Sequence, residues 1–513
     1  MNLVVKKLEH FFAFTVVPYF RDKPSPVSLN YFDLSTILIL LFLSFFTRFW
    51  LIFNPQEPVA YEINYMNKVF FSQKNDFYQE LNDFYPEKRH HPLSSLIIAL
   101  FGALSDFNVS NIYFHVPNSD EKVPQNQSNF ENDNFIDGNY ISFRVLMCLF
   151  SSFVPTLLYI AMRFASFNRI ASFMSATMLI FDTSLICDGR FANPNSFFSF
   201  FSTLSLCFMT HWFSLFRNNQ KWKKHMLFTS LSIGFAVSVK TTAYSLLFVL
   251  FFHEIIYLFI EFDCKLNKAF FKATLKRFTI LTIPTIVVHI SIWILYLSFL
   301  QNSQELNKNW YNFHSKEAQT ADKLHNSIKI SNLSPFNTFR LLLSLPSFVR
   351  KATHENKLMD NHSPSFPGPS NWIFMRKLDP ALWEGTLRHI IFIGNFFVYI
   401  FAACGVFLAI FYTRNRKYFR SATFVVTYLF TYLSFLFGED DEPASNYLLP
   451  LICGVACFGI SMDMMLNSYV KGFIMVVYVS IAYLGYVEWS PIVFGEELSF
   501  YQFEKRMWRD GWS

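Results

Sequence analysis

The sequence predicts an all-α polytopic membrane protein with about 11 transmembrane helices. Hydrophobic residues make up 52% of the 513 residues and charged residues only 16%, whereas soluble domains carry roughly one quarter charged residues. Mean hydropathy is positive, at +0.26. The apolar residues also fall into many blocks that are long enough to cross a bilayer. Together these three observations exclude a water-soluble globule.

Charge and cysteine usage exclude two further classes of protein. The net charge of +6 is small for this length, and the basic residues form short clusters between apolar blocks, so no nucleic-acid partner is predicted. The seven cysteines lie inside or beside apolar runs and form no Cys-x-x-Cys pair. This pattern indicates small apolar residues in helices and not a disulfide framework.

Eleven stretches are predicted to be spans. The fifth and sixth are short and close together, so they are expected to form a helical hairpin with a tight turn at 240–244. The apolar block 93–104 is too short to span comfortably, which favours a re-entrant or interfacial segment. The predicted spans are residues 35–53, 142–164, 170–187, 197–216, 226–240, 243–260, 278–300, 389–411, 421–437, 447–466 and 471–489.

The positions of Lys and Arg orient these spans. Four short connections are basic, and with eleven spans all four fall on the same side as the basic N-terminus, which is therefore predicted to be cytosolic. The loops 54–141 and 301–388 and the C-terminus are then predicted to be luminal. Four glycosylation sequons, at Asn108, Asn126, Asn332 and Asn361, all lie in these two loops. The basic connections are residues 163–169, 217–224, 265–277 and 414–420.

Charged and histidine side chains in or beside the spans gather at the luminal boundary. A charge inside a span costs about 2.5–3.5 kcal/mol on insertion scales, so each one is a functional candidate. Arginines recognise phosphate and a carboxylate can accept a proton from a hydroxyl, so the set suits a lipid-linked phosphate. Snorkelling, interfacial anchoring and internal pairing are the competing interpretations. The set comprises Arg48, Glu62, His90, His91, Arg144, Asp182, Arg190 and Lys240.

A series of short motifs runs in order from about residue 44 to the end of the chain. The motifs are Thr47-Arg48-Phe49 with Pro55, Phe143-Arg144-Val145-Leu146, Phe181-Asp182-Thr183-Ser184 with Gly189-Arg190-Phe191, Ser238-Val239-Lys240, Ile393-Gly394-Asn395, and Trp489-Ser490-Pro491 through Gly495 to Trp508 and Trp512. In their order and in their place relative to the spans, they resemble the motifs of the protein O-mannosyltransferases. Members of that family are multi-span glycosyltransferases of the GT-C fold.

The resemblance implies a function in protein O-mannosylation in the endoplasmic reticulum membrane. Such an enzyme transfers mannose from dolichyl-phosphate mannose to Ser or Thr of proteins in the lumen, and the acceptor hydroxyl displaces the lipid phosphate directly. The implied partners are the lipid donor and the acceptor protein, and a homologous subunit in a dimer is a candidate. The donor is the only cofactor-like molecule assigned. No metal site is predicted at His90 and His91, because adjacent histidines lack convergent geometry, and dependence on a divalent metal stays open.

Departures from the family pattern determine the candidate site residues. The usual Asp-Glu of the first luminal loop reads Tyr61-Glu62, and a phenol with a pKa near 10 cannot act as a base at neutral pH, so Glu62 is the candidate catalytic base. At Asn195 the family has a carboxylate, and at Asn446 a histidine. The predicted ligands of the donor phosphate are Arg48, His90, Arg144 and Arg190. The predicted residues of the donor or acceptor cleft are Tyr61, His91, Asn195 and Asn446.

The resemblance also divides the chain into four parts. Residues 1–34 are a cytosolic segment, and residues 35–300 form an N-terminal transmembrane module of the catalytic type that includes the luminal loop 54–141. Residues 301–388 are a large luminal loop, too short for the β-trefoil MIR domain that eukaryotic members carry there, and are expected to be mostly irregular with short helices. Residues 389–513 form a C-terminal transmembrane module with a luminal C-terminus.

Two other functions remain open from the sequence. The first is a catalytically degenerate family member that acts as a partner subunit or as a lipid-binding or peptide-binding protein. It follows if the loss of the usual Asp at Tyr61 has ended the chemistry. The second is a transporter, against which stand the lack of a visible internal repeat and the concentration of charge at one membrane boundary. Transfer of labelled mannose in vitro separates an enzyme from a degenerate relative.

The predicted orientation is testable with glycan-acceptor tags. A tag inserted in the connection 265–277 should stay unmodified, because that connection is predicted to face the cytosol, whereas a tag beside Asn332 should be glycosylated. The measurement is the mobility shift that endoglycosidase removes. Modification of the first tag would reverse the topology and the placement of the site.

Overall fold

A computed structural model describes residues 28–56, 59, 62, 92–105, 140–215, 221–300, 366–385, 387–413, 419–437, 442–465 and 468–512. The described part is a bundle of long helices with one two-residue antiparallel β-pair. The helices in chain order are α1 (Tyr31–Phe49), α2 (Pro92–Leu104), α3 (Tyr140–Phe164), α4 (Arg169–Ile180), α5 (Thr183–Asp188), α6 (Asn195–Ser214), α7 (Lys221–Val239), α8 (Tyr244–Glu261), α9 (Lys268–Leu300), α10 (Pro369–Trp372), α11 (Phe396–Thr413), α12 (Phe419–Leu436), α13 (Leu448–Met465), α14 (Ser468–Phe494) and α15 (Phe500–Arg506).

Every predicted span overlaps a helix or a pair of helices in this bundle. Among the described residues, six helical segments are long and apolar enough to cross a membrane by length and composition, so the count of eleven spans stays a prediction. Those six segments are Tyr31–Phe49, Tyr140–Phe164, Thr241–Glu261, Lys268–Tyr296, Ala444–Met464 and Val470–Phe494. The short block 93–104 forms α2, which packs against α7 and α9.

The first helix is anchored at the end that the charge pattern predicts to be cytosolic. Helix α1 begins at Tyr31, before the predicted start of the first span. Its buried Asp33 accepts hydrogen bonds from the Tyr159 hydroxyl at 2.8 Å and from Arg163 at 2.9 Å, and Arg169 lies 3.1 Å away. This carboxylate therefore joins α1 to the end of α3 and the start of α4.

The third predicted span is broken in the structure. Helix α4 ends at Ile180 and α5 starts at Thr183, because the Asp182 carboxylate accepts the backbone N–H of Leu185 at 2.9 Å and so caps a new helix. The same carboxylate accepts the N–H of Asn395 at 3.1 Å. The interpretation of Asp182 as an internal partner is thus what the structure shows.

The eighth predicted span begins later than the sequence suggested. Residues 389–411 were predicted to be helical, but His389–Ile390 pairs with Trp383–Glu384 as an antiparallel β-pair. Helix α11 begins only at Phe396, because Asn395 turns its side chain to the N–H of Phe397 at 3.2 Å and its own N–H to Asp182. A hydrophobic run cannot reveal such a cap.

The predicted hairpin between the fifth and sixth spans is confirmed. Helix α7 ends at Val239, a 3₁₀ turn covers Thr241–Ala243, and α8 follows at once. Lys240 therefore occupies the tip of the hairpin at the predicted luminal end of the bundle. In the large loop, residues 301–365 lie outside the described residues, and the rest contains α10 and the first β-strand.

The core of the C-terminal half depends on glycines that let helices approach closely. Helices α11 and α13 pack most extensively against each other. A Cβ atom at Gly405 would collide with the backbone of Phe458, and one at Gly454 would lie 2.9 Å from the Cβ of Ala402. The sequence carries these glycines without any local signal of their partners.

Gly405→Ala should destabilise the protein because α11 and α13 must then separate. We expect a loss on the order of 1–3 kcal/mol, the usual cost of overpacking, measured by thermal unfolding in detergent. Gly472→Ala is the matched control, since a Cβ there meets nothing within 4 Å. Equal unfolding temperatures for the two variants would contradict the close approach.

Candidate functional site

The predicted luminal end of the bundle holds a buried ion pair between Glu62 and Arg144. The Arg144 Nε donates to Glu62 Oε1 at 2.9 Å and Nη2 donates to Oε2 at 2.6 Å. Glu62 also accepts the N–H groups of Val59 at 3.0 Å and Ala192 at 3.1 Å. Both side chains are almost inaccessible to solvent. The carboxylate thus serves one arginine and two backbone amides.

Arg144 also satisfies backbone carbonyls of the segment that follows α1. Its Nη1 donates to the carbonyl oxygen of Pro55 at 2.7 Å and lies 3.4 Å from that of Ile52. The rings of Tyr140 and Phe191 cover the guanidinium at 4.8 and 5.2 Å. Predicted as a ligand of the donor phosphate, Arg144 is directed at protein oxygens in this structure.

Arg190 makes a second bridge at the same end. Its Nη1 donates to Val493 O at 2.9 Å and its Nη2 to Leu51 O at 2.5 Å, which joins the exit of α1 to the end of α14. Leu51 itself has a φ of 50°, an uncommon value for a residue other than glycine. The buried Nε–H of Arg190 has no acceptor among the described residues, so it is a donor that an anionic ligand could use.

Arg48 lies deeper, between helices. Its Nε donates to the Ser151 hydroxyl at 3.0 Å and its Nη1 to the Thr47 hydroxyl at 3.1 Å, with Leu179 O at 3.5 Å from Nη2. It is fully buried. These contacts join α1, α3 and α4, and they direct the Arg48 guanidinium at protein oxygens.

A second polar group, the Lys240 cluster, lies at the tip of the α7–α8 hairpin. The Lys240 ammonium donates to Asn195 Oδ1 at 2.8 Å and to Asn446 Oδ1 at 2.5 Å. The Asn195 amide donates in turn to Asp188 Oδ1 at 3.1 Å, and the Asn446 amide to Glu442 Oε2 at 2.7 Å. All five side chains are buried. The structure therefore brings the predicted cleft residues Asn195 and Asn446 together around one lysine.

The orientation of both amides follows from chemistry. An ammonium has only donors and a carboxylate has only acceptors, so each asparagine must turn its oxygen to Lys240 and its NH₂ to the acid. The sequence indicated Lys240 as a charged residue at this boundary but did not connect it with the two asparagines. Their contact needs segments that are 206 residues apart along the chain.

The loop between α5 and α6 links the two polar groups. Ala192 donates its N–H to Glu62, while the Asn193 amide donates to the Asp188 carbonyl at 2.8 Å. The Asn193 oxygen accepts the N–H of Asn195 at 2.8 Å and so begins α6. A shift of this loop would move both the ion pair and the Lys240 cluster.

Asp379 is a further buried acid, and the sequence analysis did not identify it. Its two oxygens accept the N–H of Ala444, at 3.1 and 2.9 Å, just before the turn that carries Asn446. Burial raises the pKa of Asp379 to about 7, and the Ala444 amide opposes this rise. The folded chain thus holds this proton more tightly than the unfolded chain, so stability falls as the pH rises from about 4 to about 7. No motif marks the residue, since a lone Asp in a loop is usually solvated.

Three predicted site residues, Tyr61, His90 and His91, lie outside the described residues. Within the part of the chain that the structure covers, no group of three or more His, Cys, Asp or Glu side chains could hold a metal ion. The roles assigned from the sequence to Glu62, Arg48, Arg144, Arg190, Asn195 and Asn446 stay predictions at this point.

Comparison with known proteins places this fold and site in context. The family described as dolichyl-phosphate-mannose-protein mannosyltransferase matches residues 38–307, more than half of the chain. The family described as the C-terminal four TMM region of protein-O-mannosyltransferase matches residues 349–512. The two matches together cover both transmembrane parts.

Curated relatives are similar over part of the chain. Dolichyl-phosphate-mannose–protein mannosyltransferase 4 of Schizosaccharomyces pombe is 22% identical over 214 residues, which is 41% of this chain and 24% of the relative. Dolichyl-phosphate-mannose–protein mannosyltransferase 2 of Candida albicans is 27% identical over 208 residues, 40% of this chain and 24% of the relative. The aligned stretches thus span about a quarter of the length of these relatives.

Solved structures share the fold. A chain of the S. cerevisiae protein O-mannosyltransferase Pmt1-Pmt2 complex bound to the sugar donor superposes with a TM-score of 0.72 at 13% identity, over 95% of this chain and 93% of that one. The oligosaccharyltransferase of Archaeoglobus fulgidus tethered with an acceptor peptide gives 0.50 at 9% identity, over 91% and 56%. These similarities confirm the predicted fold class, a polytopic all-α membrane protein like the GT-C glycosyltransferases.

The family match over more than half of the chain, the fold and the order of the sequence motifs agree. The chain is a multi-pass membrane protein that belongs to the dolichyl-phosphate-mannose–protein mannosyltransferase family, the protein O-mannosyltransferases.

Proposed function

We propose that this chain is a membrane glycosyltransferase that transfers mannose from dolichyl-phosphate mannose to Ser or Thr of proteins. The observation that carries the proposal is the match of residues 38–307 to the family of that name. The S. cerevisiae complex that shares the fold is bound to its sugar donor, which supports a lipid-linked donor here. The family also supports the lumen of the endoplasmic reticulum as the place of reaction.

Lys240 is the cation that we assign to the phosphate of the donor. Two amide oxygens orient its ammonium at the membrane boundary, where a lipid phosphate would lie. A preorganised positive charge beside the leaving phosphate stabilises the charge that develops in the transition state. Arg190, whose buried Nε–H has no acceptor in the described part, is the arginine best suited to add a second contact.

Glu62 and Arg144 act in this proposal as the support of the site. Their ion pair fixes the loop 190–193 through the N–H of Ala192. The residues that flank this loop, Asp188 and Asn195, belong to the Lys240 cluster. Arg48 supports the packing of α1 from within the bundle. The acceptor hydroxyl attacks the sugar carbon, so a base is also required, and the sequence-based candidate for it is Glu62.

A homologous subunit is the partner that we propose, since the solved relative of the same fold is a complex of two named chains. A degenerate member that only binds lipid or supports such a partner is the second candidate. It is favoured by one observation, the Tyr61 in place of the usual acid of the first luminal loop. A transporter is not favoured, because transporters bind their substrates near the bilayer midplane and this polar cluster lies at one predicted membrane boundary.

The direct experiment is transfer of labelled mannose from dolichyl-phosphate mannose to a Ser/Thr peptide by the purified chain in nanodiscs, alone and with a homologous subunit. Transfer supports the enzyme. If the chain binds dolichyl phosphate but transfers no mannose in either preparation, the catalytically degenerate family member is the interpretation that remains.

Lys240→Met should weaken binding of dolichyl phosphate about 10- to 100-fold, because a charge-assisted hydrogen bond is worth about 1.5–3 kcal/mol. Lys471→Met is the matched control. That lysine pairs with Asp463 at the opposite end of the bundle and should leave binding unchanged. Equal affinities for the two variants would remove Lys240 from the donor site.

Glu62→Gln should lower the unfolding temperature, because it leaves a buried arginine without its counter-charge. The expected cost is about 3–5 kcal/mol, and Arg144→Met in the same chain should relieve part of it, as the two residues form one interaction. A Glu62→Gln protein as stable as the unmutated chain would contradict the supporting role.

A further inference from the structure

The buried carboxylates at the luminal end differ in how much of their hydrogen-bonding capacity the protein uses. Glu62 accepts two bonds from Arg144 and two from backbone amides. Asp182 accepts from the Ser184 hydroxyl and from the N–H groups of Leu185 and Asn395. A carboxylate offers about four acceptor positions, so both of these acids are largely occupied by structural partners.

The described residues use fewer of the hydrogen-bond acceptor positions of Asp379. Its side chain is buried at 6% exposure, and among the described residues its one hydrogen-bond donor is the Ala444 N–H, shared by the two oxygens. In the same part of the chain no cation acts on it. A buried carboxylate with spare acceptor positions and no counter-charge costs free energy, and ionisable groups in such surroundings cluster at functional sites.

Asp379 also lies beside the Lys240 cluster. Its partner Ala444 begins the 3₁₀ segment Ala444–Tyr447, which carries Asn446, and Glu442 is two residues before that partner. Asp379 and Asp188 both lie within electrostatic range of the same two buried groups, the Cys187 thiol and the Tyr399 hydroxyl. The acid therefore lies beside the start of α13 and within electrostatic range of the end of α5.

We propose that Asp379 is the general base of the transfer reaction. In this step the acceptor O–H gives its proton to an Asp379 oxygen while the hydroxyl oxygen forms a bond to C1 of mannose. The C1–O bond to phosphate breaks, and its electron pair leaves with dolichyl phosphate. The inference rests on the proposed function and deepens it, because it supplies the base that the change to Tyr61 removed.

The acid–base properties of Asp379 suit this role. A pKa of about 7 puts the carboxylate near the best value for a base that works at neutral pH. The charged and titratable groups that face this region are Asp182, Cys187 and Asp188 on the α5 segment, Lys240 on the hairpin, Tyr399 on α11 and Glu442 before α13. Burial is the larger cause of the raised pKa of Asp379, and the hydrogen bond from the Ala444 N–H opposes it.

The test is Asp379→Asn in the full chain, assayed for transfer, for dolichyl phosphate binding and for thermal unfolding. Transfer should fall about 10²–10⁴-fold, because the amide cannot accept the proton. Binding should stay unchanged, and the unfolding temperature should stay equal or rise, since Asn can still accept the Ala444 N–H and a buried charge is gone. Asp463→Asn, at the opposite end beside Lys471, is the matched control and should keep full transfer.

The pH dependence of the unmutated chain is the second measurement. Because the base must be deprotonated, kcat/KM should rise with pH and level off above about 7, and the residual transfer of Asp379→Asn should lack this rise. A wild-type profile without a step near 7, or an Asp379→Asn protein with full transfer, would overturn the inference and leave the mannosyltransferase intact. A wild-type chain that binds dolichyl phosphate but transfers nothing would overturn both.

Discussion

The buried pair of Glu62 and Arg144 is the interaction on which the predicted luminal end of this molecule depends. It joins three segments that are far apart in sequence, the exit of α1, the start of α3 and the loop after α5. Near a bilayer, carbonyls and amides of irregular segments have little water to bind, so side chains must satisfy them. Arg144 and Arg190 do so for the segment 51–55, and Glu62 does so for Val59 and Ala192.

The charged residues at this end fall into two groups, those that bond to protein groups for structural support and those of the proposed active site. Arg48, Arg144, Asp182 and Glu62 direct their hydrogen bonds at protein groups and hold loops and helix ends in place. The Lys240 cluster and Asp379 are built differently, as an ammonium oriented by amides and an acid with one backbone partner. Rigid support around these groups is the arrangement that the proposed catalysis requires.

The proposed base changes how the departures from the family pattern are understood. If the first luminal loop no longer supplies the acid, the loop before α11 can supply one, since Asp379 reaches the start of α13. Asn195 and Asn446 replace a carboxylate and a histidine of the family pattern, and both accept a hydrogen bond from Lys240. Their amide groups donate in turn to Asp188 and Glu442. The substitutions then belong to one rearranged site.

The sequence by itself determined the membrane class, the approximate helices, the hairpin at Lys240 and the family resemblance, because hydrophobic runs and short motifs are local signals. It also placed the important charges at one boundary. Only the tertiary structure decided which charges face the protein and which face one another. Asp379 meets Ala444 across 65 residues and Lys240 meets Asn446 across 206, and no local pattern encodes such contacts. The helix ends at Asp182 and Asn395 were missed because the hydrophobic runs continue through both positions, where each side chain caps the helix that follows it and the two residues bond each other across 213 residues.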